Sequence, residues 1–329
     1  MINFVQHRKW YYLFSGTIIV IGIIAMFIST RTYAERSIVR LSIDFVGGSL
    51  FEARFAPVEG QTPQTIEGSE LEGVFAQAEL SDVTAQRLGL TDTLRWQVRT
   101  SFVGNNNIVL DKLIAGLNEV AAAKNLTFDE AYFRDNLASV SPAVGNEAAI
   151  AAIVATFFAS LLVMGWIAFA FRQLKHSFRY GVCALLAMLH DLLVIASAIS
   201  IAGLVLGWEA DALFLTAVLT VVGYSVQDTI VLFDRVREND IRRRGEPFEL
   251  IVNRSIMETV QRSLMTQIAV AFVLFALFLI GSGTIREFVG VLFIGLLSGS
   301  YSSIFIAVPL LVSWEKGELP FVNRGTKAA

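Results

Sequence analysis

The chain has 329 residues, 54% of them hydrophobic, and its formal net charge is −3. This composition excludes an ordinary soluble domain, in which apolar residues make up a smaller share. The small net charge conceals an uneven distribution, because Lys and Arg gather in a few short segments. Composition therefore favours a membrane protein, and the positions of the basic segments predict its orientation.

Six windows of about 18 or more nearly uncharged residues follow one another along the chain. They cover residues 11–28, 148–171, 180–206, 212–233, 263–280 and 288–314. A helix needs about 20 residues to cross the core of a bilayer, so each window predicts a transmembrane helix. The alternative is a large soluble enzyme with buried helices. We expect a polytopic α-helical membrane protein instead.

Basic residues mark one side of the predicted membrane. They are Arg8 and Lys9 before the first helix, Arg172, Lys175 and Arg179 between the second and third, and seven more from Arg235 to Arg262. Short loops rich in Lys and Arg stay in the cytoplasm, so both termini are predicted to be cytoplasmic. The long segment between helices one and two is then exported. The first helix is longer than the apolar core of a signal peptide, which favours an uncleaved anchor over a cleaved leader.

These assignments divide the chain into four parts. Residues 1–31 hold the cytoplasmic N-terminus and transmembrane helix 1, and residues 32–146 form an extracytoplasmic domain. Residues 147–314 hold transmembrane helices 2–6 with a basic cytoplasmic loop at 234–262, and residues 315–329 form a cytoplasmic tail. The predicted location is the cytoplasmic (inner) membrane.

The exported segment is acidic and shows alternating apolar patterns. Strands are predicted at 42–55, 83–88, 94–102 and 131–140, and helices at 70–78 and 108–124. The resulting order, β-α-β-β-α-β, favours an α+β ferredoxin-like domain. Its sequence shows neither a nucleophile with its base, nor a metal-ligand cluster, nor a phosphate loop, so we predict neither catalysis nor a bound metal. The single cysteine, Cys183, falls in the third helix, so no disulfide is expected in the exported domain.

The stretch Asp44-Phe45-Val46-Gly47-Gly48 is the most distinctive feature of the exported segment. Two glycines within a strand pattern mark a bulge or a close approach of two backbones. Two interpretations stay open at this point. One is a kinked strand near the membrane surface, and the other is a moving joint, or hinge, between helix one and the domain.

Ionisable residues within the predicted helices are rare. His190, Asp191 and Asp228 lie well inside them, and Arg262 lies at the mouth of the fifth helix. Such a group costs about 2.5–3.5 kcal/mol near the bilayer centre, and it usually faces the interior of the bundle.

Asp228 precedes the predicted end of helix four by about 7–8 Å. Arg262 begins the return helix on the same side, so an ion pair between the two is geometrically allowed. The carboxylate would stay ionised while paired and would take up a proton once the arginine moved away. Asp228 is therefore a candidate proton carrier, and a static salt bridge is the alternative.

His190 and Asp191 are adjacent in sequence, so their side chains are predicted to point in different directions and need not touch. A structural role for two polar residues in a packed bundle is the favoured interpretation. Gly295 and Gly299 form a G-x-x-x-G pattern, which lets helix backbones approach closely in lipid. For these glycines we predict packing alone.

Five stretches together resemble the SecF-type members of the SecD/SecF protein-export family. They are SIDFVGG at 42–48, LHDLL at 189–193, GYSVQDTIVLFDRVREN at 223–239, ETVQRS at 258–263 and GSYSSIFIAVPLL at 299–311. Gln227 stands where the family more often has Asn, and Ser263 where it usually has Thr. The joint SVSPAVGNEAAIAA departs from the family pattern but keeps Pro142, Gly145 and Glu147.

The resemblance implies half of a resistance-nodulation-division transporter, with six helices and an exported domain, paired with SecD. Such proteins use the proton gradient to help preproteins leave the SecYEG channel, which implies SecYEG, translocating preprotein and the lipid bilayer as partners, with YajC and YidC as further candidates. Nucleic acid is not among them, and no cofactor is expected. The proton-coupling residues of the family map onto Asp228 and Arg262. His190, Asp191 and Gln227 are supporting polar residues, and Asp44, Gly47 and Gly48 form the hinge motif.

Two other functions are weighed against this one. A stand-alone proton-coupled small-molecule transporter of the resistance-nodulation-division type would use the same carboxylate, although such exporters carry twelve helices. An intramembrane protease is disfavoured because Asp228 lacks the G-x-G-D context of aspartyl proteases of this kind, and because Ser282 lies at an outer helix end. We therefore predict that the chain is not an enzyme.

Overall fold

The computed structural model describes residues 4–33, 35–88, 94–104, 106–170, 172, 177–243, 245–281 and 283–318. In chain order the helices are α1 (Arg8–Thr32), α2 (Ile43–Val46), α3 (Gly68–Gln77), α4 (Asn107–Ala123), α5 (Glu130–Asp135), α6 (Pro142–Ala170), α7 (Ser177–Leu206), α8 (Ala212–Arg242), α9 (Phe248–Ile280), α10 (Gly283–Ser302) and α11 (Val308–Glu315). The strands are β1 (Gly48–Pro57), β2 (Thr84–Arg87), β3 (Arg95–Thr100), β4 (Leu126–Phe128) and β5 (Leu137–Val140). Lys175, Ser282 and residues 319–329 of the predicted tail lie outside the described residues.

Six spans within the described residues are long and apolar enough to cross a membrane, which confirms the six predicted helices. Five are α1, α6, α7, α8 and α9. The sixth joins α10 and α11 through a π-helical turn, Ser303–Ala307. In the apolar stretches of α6 and α9, 0% and 6% of residues are buried, against 61% in the sixth span. The faces of α6 and α9 are therefore left for lipid or for another chain.

The interior of the bundle depends on small residues of α10. A Cβ atom on Gly295 would lie 2.3 Å from the Val221 side chain, and one on Gly299 would lie 3.2 Å from Ser225. Both positions therefore let α10 approach α8 closely, which confirms the packing predicted for this pattern. α7 packs against α8 and α10 as well as against α1.

The domain between α1 and α6, which we call the α+β domain, contains an antiparallel sheet in the order β2-β3-β1-β4, with β5 also paired to β1. One edge of β1 pairs with β3, in the register Phe51↔Val98. Its other edge is shared, because β5 pairs with the first half of β1 and β4 with its last residues. Alternate residues of β1 point into a core of aromatic and aliphatic side chains, which includes Phe51, Phe75 and Phe133. The domain therefore has a hydrophobic core of its own, distinct from that of the helix bundle.

Two predicted strands are wrong in part. Residues 43–46 form the single turn α2, because the Ser42 side chain accepts a hydrogen bond from Asp44 N and caps the turn. Residues 131–140 were predicted as one strand but form the end of α5 followed by β5, since Asp129 caps α5 at Tyr132 N. Strand β4 has only three residues, too short for an alternating pattern to reveal.

The helices α8 and α9 extend beyond the predicted membrane windows. Residues 234–262 were predicted as a loop, yet α8 continues to Arg242 and α9 already begins at Phe248. Contacts between the two extensions explain this difference, since Arg235 Nε pairs with Glu258 at 2.6 Å and Asn239 Nδ2 donates to the same carboxylate at 2.8 Å. Arg262 consequently lies in the middle of α9 and not at its first turn.

Gly47 and Gly48 lie where α2 meets the start of α6. Both have positive φ angles, 80° and 133°. A Cβ atom on Gly47 would lie 2.6 Å from the Pro142 backbone, and one on Gly48 would lie 2.8 Å from Thr100 O. The glycines therefore serve a close approach of backbones, and a strand kink is the wrong description of them. Movement at this joint stays a prediction.

Candidate functional site within the membrane bundle

Asp228 lies on α8 and faces α9. Its carboxylate is half-buried and accepts a hydrogen bond at Oδ2 from Gln267 Nε2. Among the described residues this is the one side chain that hydrogen bonds to it. A carboxylate accepts up to about four hydrogen bonds, so most of the acceptor capacity of Asp228 is left open.

A cavity of about 110 Å³ opens beside Asp228, between α8 and α9. It is lined by Tyr224, Gln227, Asp228, Val231, Arg262, Ser263, Thr266, Gln267 and Val270. A water molecule needs only about 10–15 Å³ of such volume, so the cavity has room for several. The structure thus brings Asp228, Arg262 and Gln227 together, as the sequence motifs suggested.

Asp228 and Arg262 share this cavity without forming an ion pair in the described part of the chain. Arg262 is exposed on the outer face of α9, as are Gln227 and Tyr224 on α8. The ion pair between Asp228 and Arg262 that the sequence allowed is therefore not formed in this structure, although both side chains line the same cavity.

Gln267 and Thr266 were missed from the sequence. Both line the cavity, and Gln267 supplies the hydrogen bond to Asp228. The signal that could have found them is the helical spacing of polar residues in an otherwise apolar segment, since Arg262, Ser263, Thr266 and Gln267 recur on one face.

His190 and Asp191 lie on α7, deep in the bundle. The prediction that they need not touch is wrong, because His190 Nδ1 lies 3.1 Å from Asp191 Oδ1. Adjacent helical residues can meet when the imidazole turns along the helix axis. Asp191 is 2% exposed and belongs to a hydroxyl cluster that does not line the Asp228 cavity.

Asp44 lies outside the bundle and ties the α+β domain to the first turn of α8. Its Oδ2 accepts a hydrogen bond from Ala212 N at 3.0 Å, next to Asp211, which caps α8 by accepting from Phe214 N at 2.7 Å. Burial raises the pKa of Asp211, and the negative charge of Asp44 raises it further. The Asp44 stretch is therefore a structural contact between domain and bundle.

Arg99 of β3 adds an ionic contact at the same junction. Its Nη1 lies 3.0 Å from Glu209 Oε1, and Arg40 Nε lies 2.9 Å from the same oxygen. Backbone hydrogen bonds join Ala210 to Arg40 and Ser42. The α+β domain thus docks on the loop between α7 and α8 through polar contacts around a cavity of about 180 Å³.

The arrangement on α8 and α9 suits reversible proton binding. A half-buried carboxylate beside a small polar cavity can be ionised while Gln267 and water solvate it, and it can be neutral when they withdraw. Chemically, fold and site define a multi-pass helical membrane protein with a titratable carboxylate inside its bundle and a soluble domain on one side.

Comparison with known proteins identifies the family. Residues 120–317 match the family described as protein export membrane protein SecD/SecF, C-terminal. The chain belongs to the SecD/SecF family, which confirms the family predicted from the five sequence stretches.

Relatives and solved structures agree with this assignment. The chain is 41% identical to the protein translocase subunit SecF of Thermobaculum terrenum, over 99% of this chain and 98% of that one. It is 31% identical to the protein translocase subunit SecDF of Bacillus subtilis, over 96% of this chain and 38% of that one. The crystal structure of SecDF from Thermus, a translocon-associated membrane protein, shares the fold with a TM-score of 0.73 at 24% identity, covering 96% of this chain and 39% of that one.

Proposed function

We propose that this chain is the SecF-type subunit of a protein translocase in the cytoplasmic membrane. Together with SecD it would use the proton motive force to promote late steps of protein export through SecYEG. The observation that carries the proposal is Asp228, which is half-buried beside a polar cavity on α8, in a chain of the SecD/SecF family. The site needs no cofactor other than the proton gradient.

The coupling step is a change in the charge of Asp228. Water in the cavity and the nearby guanidinium of Arg262 favour the ionised form. A shift of Arg262 towards the cytoplasm would withdraw that support, and Asp228 would then take a proton from the exported side. Each charge that crosses the membrane supplies about 2.3 kcal/mol per 100 mV, which is available to drive movement of the helices.

The exposed polar residues on α8 and α9 support the proposal that a second membrane subunit covers this face. Arg262, Gln227 and Thr266 are exposed within candidate membrane spans. Contact of such groups with lipid is costly, so they face protein or water. The relatives named SecDF, of which this chain matches 38% or 39%, support SecD as the covering partner. YajC and YidC are further proposed partners.

The exported domain is the part proposed to contact preprotein. Its strand order, β2-β3-β1-β4, supports a ferredoxin-like module. The basic segments support cytoplasmic termini, which puts this module on the side where preproteins emerge. Photo-crosslinkers placed across residues 50–130 should capture a stalled preprotein, and failure to capture one in an engaged translocon would contradict this role.

A stand-alone small-molecule transporter is the less favoured function. Pockets for small molecules usually measure about 300–1,000 Å³, whereas the cavity at Asp228 measures about 110 Å³. Its volume suits water and protons better than an organic substrate.

The test is Asp228→Asn, which keeps the size of the side chain and removes its titration. Inverted vesicles that contain the complex with SecD should lose the part of export that an uncoupler abolishes, while ATP-driven export persists. Asp234→Asn is the matched control, because Asp234 lies on the same helix, is 56% exposed and pairs only at the surface with Arg237. An uncoupler effect of wild-type size in Asp228→Asn vesicles would make Asp228 a structural anchor and refute the proposal.

A further inference from the structure

A second ionisable pair, His190 and Asp191, lies at the middle of α7. Their relative exposures are 6% and 2%, so both are buried among the helices. Neither lines the cavity beside Asp228. A buried carboxylate needs an explanation, because an Asn or a Ser at this position would fill a packed bundle at lower cost.

Three serine hydroxyls from two other helices converge on Asp191. Ser225 Oγ of α8 and Ser302 Oγ of α10 each donate to Oδ2 at 2.6 Å, and Ser298 Oγ of α10 donates to Oδ1 at 2.6 Å. These distances are typical of hydrogen bonds to an ionised acceptor. In the described part of the chain no Lys or Arg pairs with Asp191. Hydroxyl groups, and not a cation, therefore support its charge.

The imidazole of His190 has a vacant position for a proton. Its Nδ1 contacts Asp191, while its Nε2 is buried and has no hydrogen-bond partner among the described residues. A buried polar atom left without a partner costs about 1–3 kcal/mol. With Nδ1–H donated to Asp191, Nε2 carries a free lone pair. The pair can thus bind one proton more than it holds at rest.

Polar groups continue from Asp191 to Asp228 along the contact between α8 and α10. The hydroxyls of Thr229 and Ser303 lie 2.9 Å apart, and both reach the carbonyl oxygen of Ser225, at 3.0 and 3.3 Å. Ser303 and Asp228 then line one small cavity of about 10 Å³, which suits about one water molecule. The α8–α10 contact therefore runs from the serines that bind Asp191 to the small cavity beside Asp228.

We propose that His190 and Asp191 form a second proton-binding site of this chain, which acts on the α8–α10 contact that reaches the cavity beside Asp228. This inference rests on the proposed proton coupling and extends it. The proton binds at His190 Nε2 and the Nδ1 proton moves to Asp191 Oδ1, which leaves a neutral imidazole and a neutral carboxyl group. A neutral carboxyl group accepts hydrogen bonds more weakly than a carboxylate, so the three serine hydroxyls are held less firmly and the tie between α7 and the α8–α10 contact loosens. Only O–H and N–H bonds form and break.

The surroundings of the pair hold few other ionisable groups. Tyr301 of α10 is nearest on that helix, with its ring 6.1 Å from the imidazole, and its hydroxyl donates to Tyr11 O of α1. Asp228 is the carboxylate of α8 within its apolar window, residues 212–233. Residues 148–170 of α6 carry no ionisable side chain, and the window 11–28 of α1 carries Tyr11 and Tyr12 at its beginning. The ionisable groups around this seam are therefore the pair, Asp228 and these tyrosines.

The test is Asp191→Asn in the complex with SecD, measured in inverted vesicles. The amide keeps the size, accepts hydrogen bonds at its oxygen and donates at its nitrogen, so the three serines retain partners, but the side chain no longer titrates. We expect normal amounts of complex and a fall of at least about tenfold in uncoupler-sensitive export, a threshold set below the roughly 100-fold or more that a proton-transfer group typically contributes. Asp234→Asn again serves as the control with the same chemical change.

Comparison with Asp228→Asn separates the two proposals. If Asp228→Asn loses the uncoupler-sensitive export and Asp191→Asn keeps it, the pair is a structural tie and only this inference is overturned. If both variants keep it, the proposed function falls as well.

A second measurement does not depend on the folding of Asp191→Asn. Infrared difference spectra of the Asp228→Asn complex, recorded on acidification, should show the carbonyl stretches of buried protonated carboxyl groups, Asp211 among them, and His190→Gln in the same background should shift the pH at which one of these bands appears. Absence of any band that His190→Gln shifts, over the pH range in which wild-type export responds, overturns the inference.

Discussion

Asp191 and Asp228 are carboxylates of neighbouring helices in one bundle, yet their surroundings differ. Asp191 is 2% exposed and receives three hydroxyl groups of this chain. Asp228 is half-buried, receives one amide, and faces a cavity beside an exposed arginine. The environment of Asp191 is complete within this chain, whereas that of Asp228 is open on one side. This difference is what we expect if the proposed second subunit completes the site at Asp228 and has no part in the site at Asp191.

The largest expected effect comes from disturbing the enclosed site through its packing. Gly299→Val would force a branched side chain against Ser225, because even a Cβ atom there lies 3.2 Å from Ser225 Cβ. The α8–α10 contact should open, and overpacking of this kind costs about 1–3 kcal/mol. Thermal unfolding of the purified protein measures the loss.

Gly223→Val is the matched control for this prediction. Gly223 lies on α8 with nothing within 4 Å of an added Cβ atom, so its replacement should leave stability nearly unchanged. Equal unfolding temperatures for the two variants would show that the close contact at Gly299 contributes nothing to stability.

A smaller effect should separate the two carboxylates by their number of partners. Gln267→Leu removes the single side-chain donor of Asp228 among the described residues, whereas Ser298→Ala leaves Asp191 with two serines. A lost hydrogen bond to a charged group costs about 1.5–3 kcal/mol when nothing replaces it, and less where water enters the gap. Gln267→Leu should therefore reduce uncoupler-sensitive export severalfold and more than Ser298→Ala does. The reverse order would mean that the open cavity already solvates Asp228 without Gln267.

Part of this contrast was visible in the sequence. The six helices follow from uncharged windows, and Asp228 stands out because a charge interrupts such a window. The serines around Asp191 could not be found in this way, because Ser is common in membrane helices for packing alone and only the crossing of α8, α7 and α10 brings Ser225, Ser298 and Ser302 to one point. Gln267 was overlooked because it is uncharged.

In the α+β domain, too, the elements that depend on contacts distant in sequence could not be predicted. The patterns of α3, α4, β2 and β3 predicted those elements within a residue or two. The turn α2 was not predicted, because it depends on a side-chain cap at Ser42 and on backbone packing against Pro142, which no periodicity records. In the same way, the helical extension of α8 to Arg242 depends on the ion pair of Arg235 with Glu258 of α9, which lies 23 residues further along the chain.

The smallest expected effect concerns a third carboxylate, Asp211, where the α+β domain docks on the bundle. Burial and Asp44 raise its pKa, so the docked fold binds a proton at Asp211 more tightly than the unfolded chain does. The contribution of Asp211 to stability is therefore present below its ordinary pKa and is lost as the pH rises through the raised value. Asp211→Asn removes the free-energy cost of ionising this partly buried carboxyl group beside Asp44, and it keeps an oxygen that can accept a hydrogen bond from Phe214 N.

The stability gain of Asp211→Asn over wild type should thus grow as the pH rises from about 4 to about 7, and it should stay below about 1 kcal/mol because the site is partly solvated. Unfolding temperatures across this pH range measure it, with Glu59→Gln in the exposed loop after β1 as the control. A gain that shrinks with rising pH would mean that Asp211 is stabilised as an anion, by the end of α8 or by Arg40 and Arg99. The junction would then resemble Asp191 before it takes up a proton, a carboxylate supported by hydrogen bonds within the chain.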